Sequence, residues 1–309
     1  MKRLLVITGP TGVGKTDLTL RLAERYDCPI LNADSRQIYK DIPIGTAAPT
    51  QEDQARVKHF FVETKNINET YNAGEFERDC LDVIRRLPDT DVHHPVTAVL
   101  SGGSMLYIDA VCNGLDDIPP VPESIRQTVQ QLYRQGGIAR LQSEVQRLDP
   151  VYWERVDQAN PQRLMHCIEV SMVAGCPYSS FRKKKTIERP FEVVKVVLDR
   201  PREELYTRIN QRVLVMIKEG LEDEARKVWK EPIPNSLNTV GYKEMFAFFR
   251  NEISRDEAVR LIQQNSRHYA KRQITWFRQY TDAHWLSADL DYEEQIHILD
   301  SWLTEPNRM

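Results

Sequence analysis

The sequence predicts an α/β fold, a P-loop NTPase-like parallel sheet flanked by helices, with a small all-helical insertion domain. First, an apolar strand at 4–8 runs into a glycine-rich loop and then into an amphipathic helix. Second, apolar strands and helices alternate through the first half of the chain, which is typical of parallel sheets. Third, Pro119, Pro120 and Pro122 interrupt this alternation, and a helical, Gln- and Arg-rich segment follows. We therefore expect a core of residues 1–117 and 159–309 and an insertion at 118–158.

Composition indicates a soluble globular protein. The chain has 309 residues, of which 41% are hydrophobic and 28% charged. Its net charge of −3 excludes a uniformly basic nucleic-acid binder, so any such role rests on local patches. No segment approaches the roughly 18 apolar residues that a membrane helix needs. Its five cysteines form no C-x-x-C pair, which predicts reduced thiols, no zinc site and a cytoplasmic protein.

The first loop matches the phosphate-binding pattern G-x-x-x-x-G-K-T. It consists of Gly9, Pro10, Thr11, Gly12, Val13, Gly14, Lys15 and Thr16. Glycines allow successive N–H groups to point at an anion, and the following helix adds its positive N-terminal end. Lys15 supplies an ammonium, and the Thr16 hydroxyl suits Mg²⁺. The loop predicts a polyphosphate site without defining the polyphosphate.

Two further segments are expected beside this loop. A predicted strand at 29–33 ends at Asp34, and one at 96–100 ends at Ser101–Ser104; another strand is predicted at 191–198. Ligands of open parallel sheets bind at the carboxyl ends of strands, so these segments should meet in one cleft. Residues 40–47, punctuated by glycine and proline, predict a loop over that cleft.

Asp34 is the acidic group nearest the predicted phosphate site. A kinase usually carries an Asp after a second strand to support Mg²⁺, but here the 96–100 strand is followed by Ser-Gly-Gly. Asp34 could support Mg²⁺ through water, act as a general base, or simply cap a helix. Ser104 could be a turn residue or donate a hydrogen bond into the cleft.

The second half of the chain is mainly helical. Pro161 is expected to open a helix through Val173, and Pro201 and Gly220 should bound another. On the latter, Arg208 and Arg212 lie on one face because they are four residues apart. The charge run 182–185 is either a solvated loop or a nucleic-acid contact.

A capping box at Ser254 and Glu257 predicts the start of the last long helix. This helix mixes basic and aromatic residues, namely Arg267, His268, Lys271, Arg272 and Arg278 with Tyr269 and Trp276. Basic groups can neutralise phosphates and exposed aromatic rings can stack on bases. A core helix with a solvated basic face is the alternative.

Together these segments resemble the tRNA dimethylallyltransferases, also called tRNA isopentenylpyrophosphate transferases, from the first strand to about Arg278. Besides the phosphate loop, the resemblance is carried by 34–39, 44–47, 102–107, 162–164, 240–244 and 270–278. Ordinary phosphate-loop kinases lack the last two segments. The C-terminal zinc-finger extension of eukaryotic members is not found, so the resemblance is to the bacterial type.

The resemblance implies transfer of a dimethylallyl group from dimethylallyl diphosphate to N6 of adenosine 37, next to the tRNA anticodon, with release of diphosphate. It implies Asp34 as general base and Mg²⁺ at Thr16. Ser104 stands where the family commonly has a Thr whose hydroxyl helps to place the donor or the base. The hydroxyl is kept, so the resemblance implies a catalytic role for Ser104. The residues implied to bind the diphosphate are Gly9, Pro10, Thr11, Gly12, Val13, Gly14, Lys15 and Thr16, together with Arg208 and Arg212.

By the same resemblance, the target adenine is extruded into the cleft and the insertion clamps the anticodon stem-loop. The implied tRNA contacts are Asp34, Ser35, Arg36, Gln37, Ser104, Arg126, Gln162, Arg163, Leu164, Met165 and His166. One departure is the run 155–161, where the family often has an Arg-Ile-His-Pro-Asn-Asp-like sequence. We expect tRNA and dimethylallyl diphosphate as partners of a cytoplasmic monomer, with no membrane and no obligate protein partner.

Three alternatives remain open at the level of sequence. The chain could transfer the same group to free adenine nucleotides, which a related activity does with a similar phosphate loop. It could be a small-metabolite kinase, although no carboxylate follows Leu100. It could also be a non-catalytic RNA-binding protein, against which the intact Lys15, Thr16 and Asp34 argue.

Overall fold

The computed structural model describes residues 1–182 and 187–304. Lys183, Lys184 and Lys185 of the basic run therefore lie outside the described residues, and its two interpretations stay open. The chain divides into two compact units. One comprises Met1–Cys112 with Arg189–Met309, and the other is Asn113–Glu188.

A parallel sheet forms the centre of the first unit, with six strands in the described residues. They are β1 (Lys2–Thr8), β2 (Ile30–Asn32), β3 (His59–Phe60), β4 (Ala98–Gly102), β5 (Phe191–Asp199) and β6 (Ala283–Ser287). Their order is β3-β2-β4-β1-β5-β6, with Leu4 of β1 aligned with Ala98 of β4 and Val193 of β5. The central strands are buried apolar runs, as strands covered on both faces must be.

The helices of the described residues follow in chain order. They are α1 (Lys15–Arg25), α2 (Pro43–Thr46), α3 (Gln51–Arg56), α4 (Ala73–Arg86), α5 (Met105–Asn113), α6 (Glu123–Leu148), α7 (Pro150–Trp153), α8 (Pro161–Ala174), α9 (Arg202–Glu219), α10 (Leu221–Val228), α11 (Tyr242–Phe249), α12 (Arg255–Phe277) and α13 (Tyr292–Thr304). Short 3₁₀ turns lie at Tyr178–Ser180 and Asn235–Leu237. Helices α6 to α8 belong to the second unit, and the first unit contains the others apart from Asn113, the last residue of α5.

The predicted helix boundaries of α9 and α12 are confirmed. Pro201 immediately precedes α9, and Gly220 ends it with φ at 103°, a left-handed value that favours glycine. Ser254 caps α12 by accepting the backbone N–H of Glu257. These helices pack against each other, and α12 also packs against α11. This packing brings α12 over the carboxyl edge of the sheet.

The second unit has its own apolar core, which Val129, Leu141, Val145, Leu164 and Ile168 help to form. Helix α6 packs against α8 and changes direction at Gly137, where φ is 59°. This unit contains the whole predicted insertion, 118–158, and also includes α8, which supplies five of the eleven described residues buried in its core.

The α/β fold class with a parallel sheet is confirmed. Two strands were not expected, β3 and β6, which lie at the two edges of the sheet. The predicted strand at 96–100 is displaced by two residues, to Ala98–Gly102. All five cysteines lie in the described residues and are free thiols. Among the helices that the structure describes, none is long and apolar enough to cross a membrane.

Candidate active site

The phosphate loop joins β1 to α1, and its glycines are needed sterically. Gly12 has φ at 81°, and a Cβ there would lie 2.9 Å from Cγ1 of Ile209. A Cβ on Gly9 would lie 2.7 Å from the carbonyl oxygen of Leu198. The loop therefore follows its neighbours α9 and β5 closely, which only glycine permits at these positions.

Lys15 is folded back over this loop. Its ammonium donates to the carbonyl oxygens of Gly9 and Pro10 at 2.9 and 3.0 Å. Burial and the nearby Arg212 guanidinium lower the pKa of Lys15 to about 7, although the Asp34 carboxylate acts in the opposite direction. An anion in the loop would favour the charged form of Lys15.

The two arginines of α9 are placed differently. Arg212 is half-buried, and its Nη1 donates to Oγ1 of Thr11 at 3.4 Å. Burial lowers the pKa of its guanidinium, and the Asp34 carboxylate opposes that effect. Arg208 is exposed, and its Nε donates to the carbonyl oxygen of Gly12 at 2.9 Å. Both contact the phosphate loop, but Arg212 also interacts with Asp34.

Asp34 follows β2 and combines two of the interpretations that its sequence allowed. Its Oδ1 accepts the backbone N–H of Arg36 at 2.9 Å and that of Gln37 at 3.4 Å, which stabilises the turn. Its Oδ2 accepts no hydrogen bond from residues 1–182 or 187–304. One oxygen therefore fixes the carboxylate while the other is available for chemistry.

Ser104 is buried beside this turn. Its Oγ accepts the backbone N–H of Ser35 at 2.8 Å and donates to Oγ of Ser35 at 3.2 Å. Its own N–H donates to the carbonyl oxygen of Ala33. These contacts make Ser104 a support of the turn that carries Asp34. Its catalytic role stays a prediction.

Two adjoining cavities meet at Asp34. The first, of about 580 Å³, is lined by the phosphate loop, Arg208, Gln37 and the strand-end glycines Gly102 and Gly103. The second, of about 340 Å³, is lined by polar and basic groups that include Ser35, Arg36, Asn238, Lys243 and Arg272. Five residues line both cavities, namely Thr11, Asp34, Thr46, Arg212 and Tyr269. Two separate ligands, one in each cavity, could therefore both lie next to Asp34.

The loop at 40–47 borders both cavities, as its sequence predicted, and contains the short helix α2. Its shape is held by Glu224, whose carboxylate accepts the N–H groups of Ile44 and Gly45 at 2.8 Å. Tyr242 donates to the same carboxylate at 2.6 Å. Gly45 has no room for a side chain, since a Cβ would lie 2.5 Å from the Tyr242 hydroxyl oxygen.

This loop in turn orients Gln37. The side-chain Nε2 of Gln37 donates to the carbonyl oxygens of Thr46 and Ala47 at 3.0 and 2.9 Å. Both partners are acceptors, so the amide orientation is determined, and within the part of the chain that the structure describes its oxygen accepts no hydrogen bond. Gln37 can therefore recognise a donor group of a ligand beside Asp34.

The comparisons with known proteins identify the family. A family model described as IPP transferase matches residues 37–280, which is well over half of the chain. The chain belongs to the IPP transferase family. The resemblance noted from the sequence is thereby confirmed.

Relatives within the IPP transferase family match nearly the whole chain. A protein named tRNA dimethylallyltransferase 2 from Parabacteroides distasonis is 48% identical over 289 residues, 94% of this chain and 95% of the relative. One named tRNA dimethylallyltransferase 1 from Phocaeicola vulgatus is 47% identical over 295 residues, 96% of this chain and 97% of the relative.

Solved structures agree with this assignment. The full-length tRNA isopentenylpyrophosphate transferase from Bacillus halodurans matches with a TM-score of 0.69 and 30% identity, covering 98% of this chain and 97% of that one. A eukaryotic dimethylallyltransferase, described as acting on tRNA, has a TM-score of 0.82 at 21% identity. That match covers 100% of this chain and 81% of that one, and it supports the fold alone.

Several implied RNA-contacting residues of this IPP transferase lie in the second unit. The side chains of Arg126 on α6 and of Gln162, Arg163 and His166 on α8 are exposed. The side chain of His166 is 47% exposed, and its partial burial together with the positive charge of Arg126 lowers its pKa, so these two side chains are neighbours. The contacts that the resemblance implied for these four remain predictions.

Leu164 and Met165 are the exceptions. Their relative exposures are 0% and 8%, and both belong to the core of the second unit. The 3.6-residue period of α8 places this pair on the inner face, next to Ile168. The tRNA contacts that the resemblance implied for Leu164 and Met165 therefore stay predictions that the burial of their side chains does not support.

The aromatic residues of α12 are not exposed, as they would have to be in order to stack on RNA bases from the surface of the helix. Trp276 is half-buried and its indole N–H donates to Asp109 at 2.9 Å, so its ring belongs to the fold. Tyr269 lines both cavities, and its hydroxyl donates to the carbonyl oxygen of Gly103. The basic groups Lys271, Arg272 and Arg278 are exposed.

Sequence reasoning missed Gln273 and Glu224, two buried polar residues that hold loops of the site. Gln273 lies among the apolar residues Ala270, Ile274 and Phe277, and a polar residue on an apolar stripe is a signal that could have found it. Glu224 lies in an acidic first helical turn and carries no comparable signal.

Proposed function

We propose that this chain transfers a dimethylallyl group from dimethylallyl diphosphate to the exocyclic N6 of adenosine 37 in tRNA. The names of its close relatives support the reaction class. The observation that carries the proposal is the pair of cavities that share Asp34. A transferase needs a donor site and an acceptor site separated by the group that handles the proton, and this arrangement supplies all three.

The donor is proposed to bind in the cavity of the phosphate loop. Negative charge grows on the diphosphate as its bond to carbon breaks, so positive groups fixed beforehand stabilise the transition state. Lys15 and Arg212 supply two such charges, together with the N–H groups at the start of α1. Arg208 adds a third charge from a more exposed position.

Mg²⁺ is proposed as the cofactor, and the residues present fit it. The Thr16 hydroxyl is exposed in the first turn of α1 and lines the same cavity as Asp34. Residues 1–182 and 187–304 hold no cluster of three His, Cys, Asp or Glu side chains suited to a metal. Mg²⁺ needs no such cluster, since one or two protein oxygens suffice when water and phosphate supply the rest. When bound there, Mg²⁺ supplies positive charge to the diphosphate.

The proposed transfer forms one bond, breaks one bond and moves one proton. A bond forms between the adenine N6 and C1 of the dimethylallyl group, and the bond from C1 to the diphosphate oxygen breaks. The diphosphate leaves with the electron pair of that bond. The attacking amine loses one proton, for which the free Oδ2 of Asp34 is the acceptor.

The adenosine is proposed to enter through the second cavity. Its lining includes the cations Arg36, Lys243 and Arg272, which suit a phosphate backbone, and the half-buried ring of Tyr269. The adenine must leave the stacked anticodon loop to reach Asp34. Arg126, Gln162, Arg163 and His166 of the second unit are proposed to contact the same RNA.

A direct assay tests the reaction. Purified chain is incubated with unmodified tRNA, dimethylallyl diphosphate and Mg²⁺, and the nucleosides of the digested tRNA are weighed by mass spectrometry. We expect adenosine heavier by one dimethylallyl group. Absence of this product would refute the proposal.

Parallel arms separate the alternatives. Replacement of tRNA by AMP tests transfer to free adenine nucleotides, and replacement of the donor by ATP tests kinase activity. We expect product from tRNA with dimethylallyl diphosphate and from neither replacement.

A further inference from the structure

Gln273 connects two loops of the site from within the core. It lies on α12 and is only 1% exposed. Its Oε1 accepts the backbone N–H of Thr11 at 2.8 Å, and its Nε2 donates to the carbonyl oxygen of Gly103 at 2.8 Å. One partner is a donor and the other an acceptor, so the orientation of the amide is determined.

The loops joined by Gln273 carry different parts of the proposed chemistry. Thr11 belongs to the phosphate loop after β1. Gly103 directly precedes Ser104, whose hydroxyl accepts the N–H of Ser35 beside Asp34. The chain of contacts therefore runs from the phosphate loop through Gln273 to the turn that holds the proposed base.

Gln273 lies close against the backbone of Gly103. A Cβ on Gly103 would lie 2.5 Å from Nε2 of Gln273, so a larger residue there would displace the amide end of the Gln273 side chain. The Tyr269 hydroxyl, one turn earlier on α12, donates to the same carbonyl oxygen at 3.3 Å. Displacement of Gln273 would therefore disturb the carbonyl of Gly103 and the position of Ser104.

Helix α12 also holds the helix that follows Ser104. Trp276 on α12 and Tyr280, which lies just beyond its end, donate to the two carboxylate oxygens of Asp109 on α5, at 2.9 and 2.6 Å. The segment that contains Ser104 is thus fixed at its start by Gln273 and further along by Asp109. This double attachment joins the segment from Gly103 to Asp109 to α12 at two places.

The bond to Thr11 also affects anion binding. Phosphate loops usually direct their backbone N–H groups at the bound anion. Here the N–H of Thr11 is directed at Gln273 instead. The backbone N–H of Thr11 therefore helps to align the two loops. The anion would be bound by the later N–H groups of the phosphate loop.

We propose that Gln273 is a positioning residue that keeps the phosphate loop and the Ser104 loop in a fixed relation, so that the leaving group and Asp34 stay aligned for transfer. The proposal rests on the proposed function. Gln273 acts through Thr11 and Gly103 rather than on the reacting atoms. Its loss should therefore slow the transfer step more than it weakens RNA binding.

The test uses Gln273→Met, which removes both hydrogen bonds and keeps a side chain of similar length. The matched control is Gln263→Met on the same helix. Gln263 is half-buried and donates to the carbonyl oxygen of Asn210 at 3.3 Å, away from both loops. For Gln273→Met we expect kcat to fall roughly 10- to 100-fold because the reacting groups are misaligned. The Kd for tRNA should change less than about two-fold, and the control should retain kcat.

A double-mutant cycle with Ser104→Ala tests the route of the effect. If Gln273 acts through the Ser104 loop, the two losses of kcat should not multiply in the double variant. Losses that multiply, or a kcat for Gln273→Met equal to that of Gln263→Met, would overturn the proposal.

Amide hydrogen exchange gives a readout that does not depend on activity. Peptides containing Thr11 and residues 101–105 should exchange faster in Gln273→Met than in Gln263→Met, because the Thr11 N–H has lost its acceptor. Unchanged exchange in these peptides would refute the positioning role alone. A wild-type chain without transferase activity would instead refute the proposed function.

Gly103→Ala provides a second route if Gln273→Met does not fold. Its Cβ would displace the amide end of Gln273 while leaving the Gln273 residue chemically unchanged. We expect the same loss of kcat and the same faster exchange around Thr11. Wild-type values of both in this variant would also overturn the proposal.

Discussion

The backbone N–H of Arg36 donates to Oδ1 of Asp34 at 2.9 Å, while Oδ2 of that carboxylate accepts no hydrogen bond from the part of the chain that the structure describes. The turn after β2 therefore fixes the carboxylate by one oxygen. It also fixes the direction in which Oδ2 points. Positioning of this kind lets a carboxylate act as a base without first reorganising.

Asp34→Asn should separate the two functions of this side chain. The amide oxygen of Asn can still accept the N–H of Arg36, so the turn is kept, but the basic oxygen is lost. We expect kcat to fall about 10²- to 10⁴-fold. The Kd for tRNA should stay within about two-fold, measured by filter binding beside single-turnover kinetics.

Asp34→Ala is the matched comparison, because it removes the turn contact as well. It should also lose about 0.5–2 kcal/mol of the free energy of unfolding, as other lost caps do. Retention of more than a tenth of the wild-type kcat by Asp34→Asn would exclude Asp34 as the base.

Arg212 and Arg208 should differ although they share one face of α9. Arg212→Met removes a half-buried charge that touches Thr11 and lines both cavities. We expect kcat/KM for dimethylallyl diphosphate to fall about 10²-fold, since charges in desolvated sites act more strongly. The exposed Arg208, replaced by Met, should lose less than about ten-fold because water screens its charge. Equal losses from steady-state kinetics would contradict the distinction.

Local sequence signals predicted much of the fold and part of the site. Local residues predicted the phosphate loop and the helix ends at Pro201, Gly220 and Ser254. Each of these features depends on residues within one turn or one helix cap. Convergence of the strand ends followed from the rule for parallel sheets. Strands β3 and β6 were missed because one is only two residues long and both lie at edges with weak apolar patterns.

The contacts that hold the site together were not predictable in this way. Gln273 and Thr11 are 262 residues apart, and Glu224 and Ile44 are 180 apart. No local pattern encodes such pairs, because the partners are brought near only by the packing of α12 over the carboxyl edge of the sheet and of α10 against α2. The burial of Leu164 could not be read from the resemblance, which implied a contacting segment as a whole, whereas the helical period buries the side chains of some of its members.

Tyr242→Phe should destabilise the loop at 40–47. The hydroxyl donates to the buried Glu224 carboxylate at 2.6 Å, and its loss leaves that carboxylate with one partner fewer. We expect the free energy of unfolding in urea to fall by about 1–3 kcal/mol. Tyr292→Phe is the control, because its hydroxyl contacts an exposed carbonyl oxygen, that of Arg21. A change there should stay within about 0.5 kcal/mol. Equal changes for the two variants would show that the hydrogen bond to Glu224 stabilises the fold no more than the exposed hydrogen bond of Tyr292.

Removal of Mg²⁺ should stop transfer reversibly. With an anticodon stem-loop RNA as acceptor, we expect EDTA to abolish product and added Mg²⁺ to restore it. Thr16→Val should require more Mg²⁺ for half-maximal rate and lose at least about ten-fold in kcat/KM, whereas Thr16→Ser keeps the oxygen ligand and most of the rate. Full activity of Thr16→Val at the wild-type Mg²⁺ requirement would rule out Thr16 as a ligand.

Arg126 tests whether the second unit contacts RNA. Arg126 is exposed in the first turn of α6 and interacts with His166, one of the residues proposed to contact the same RNA. A contact with one phosphate releases about one counterion, so Arg126→Ala should reduce the slope of log Kd against log salt by about one. Arg134→Ala is the control, since Arg134 is an exposed arginine further along the same helix. If both variants keep the wild-type salt slope in titrations of the stem-loop, the RNA does not bind at Arg126. A slope reduced equally in both would indicate diffuse attraction by α6 rather than a defined contact.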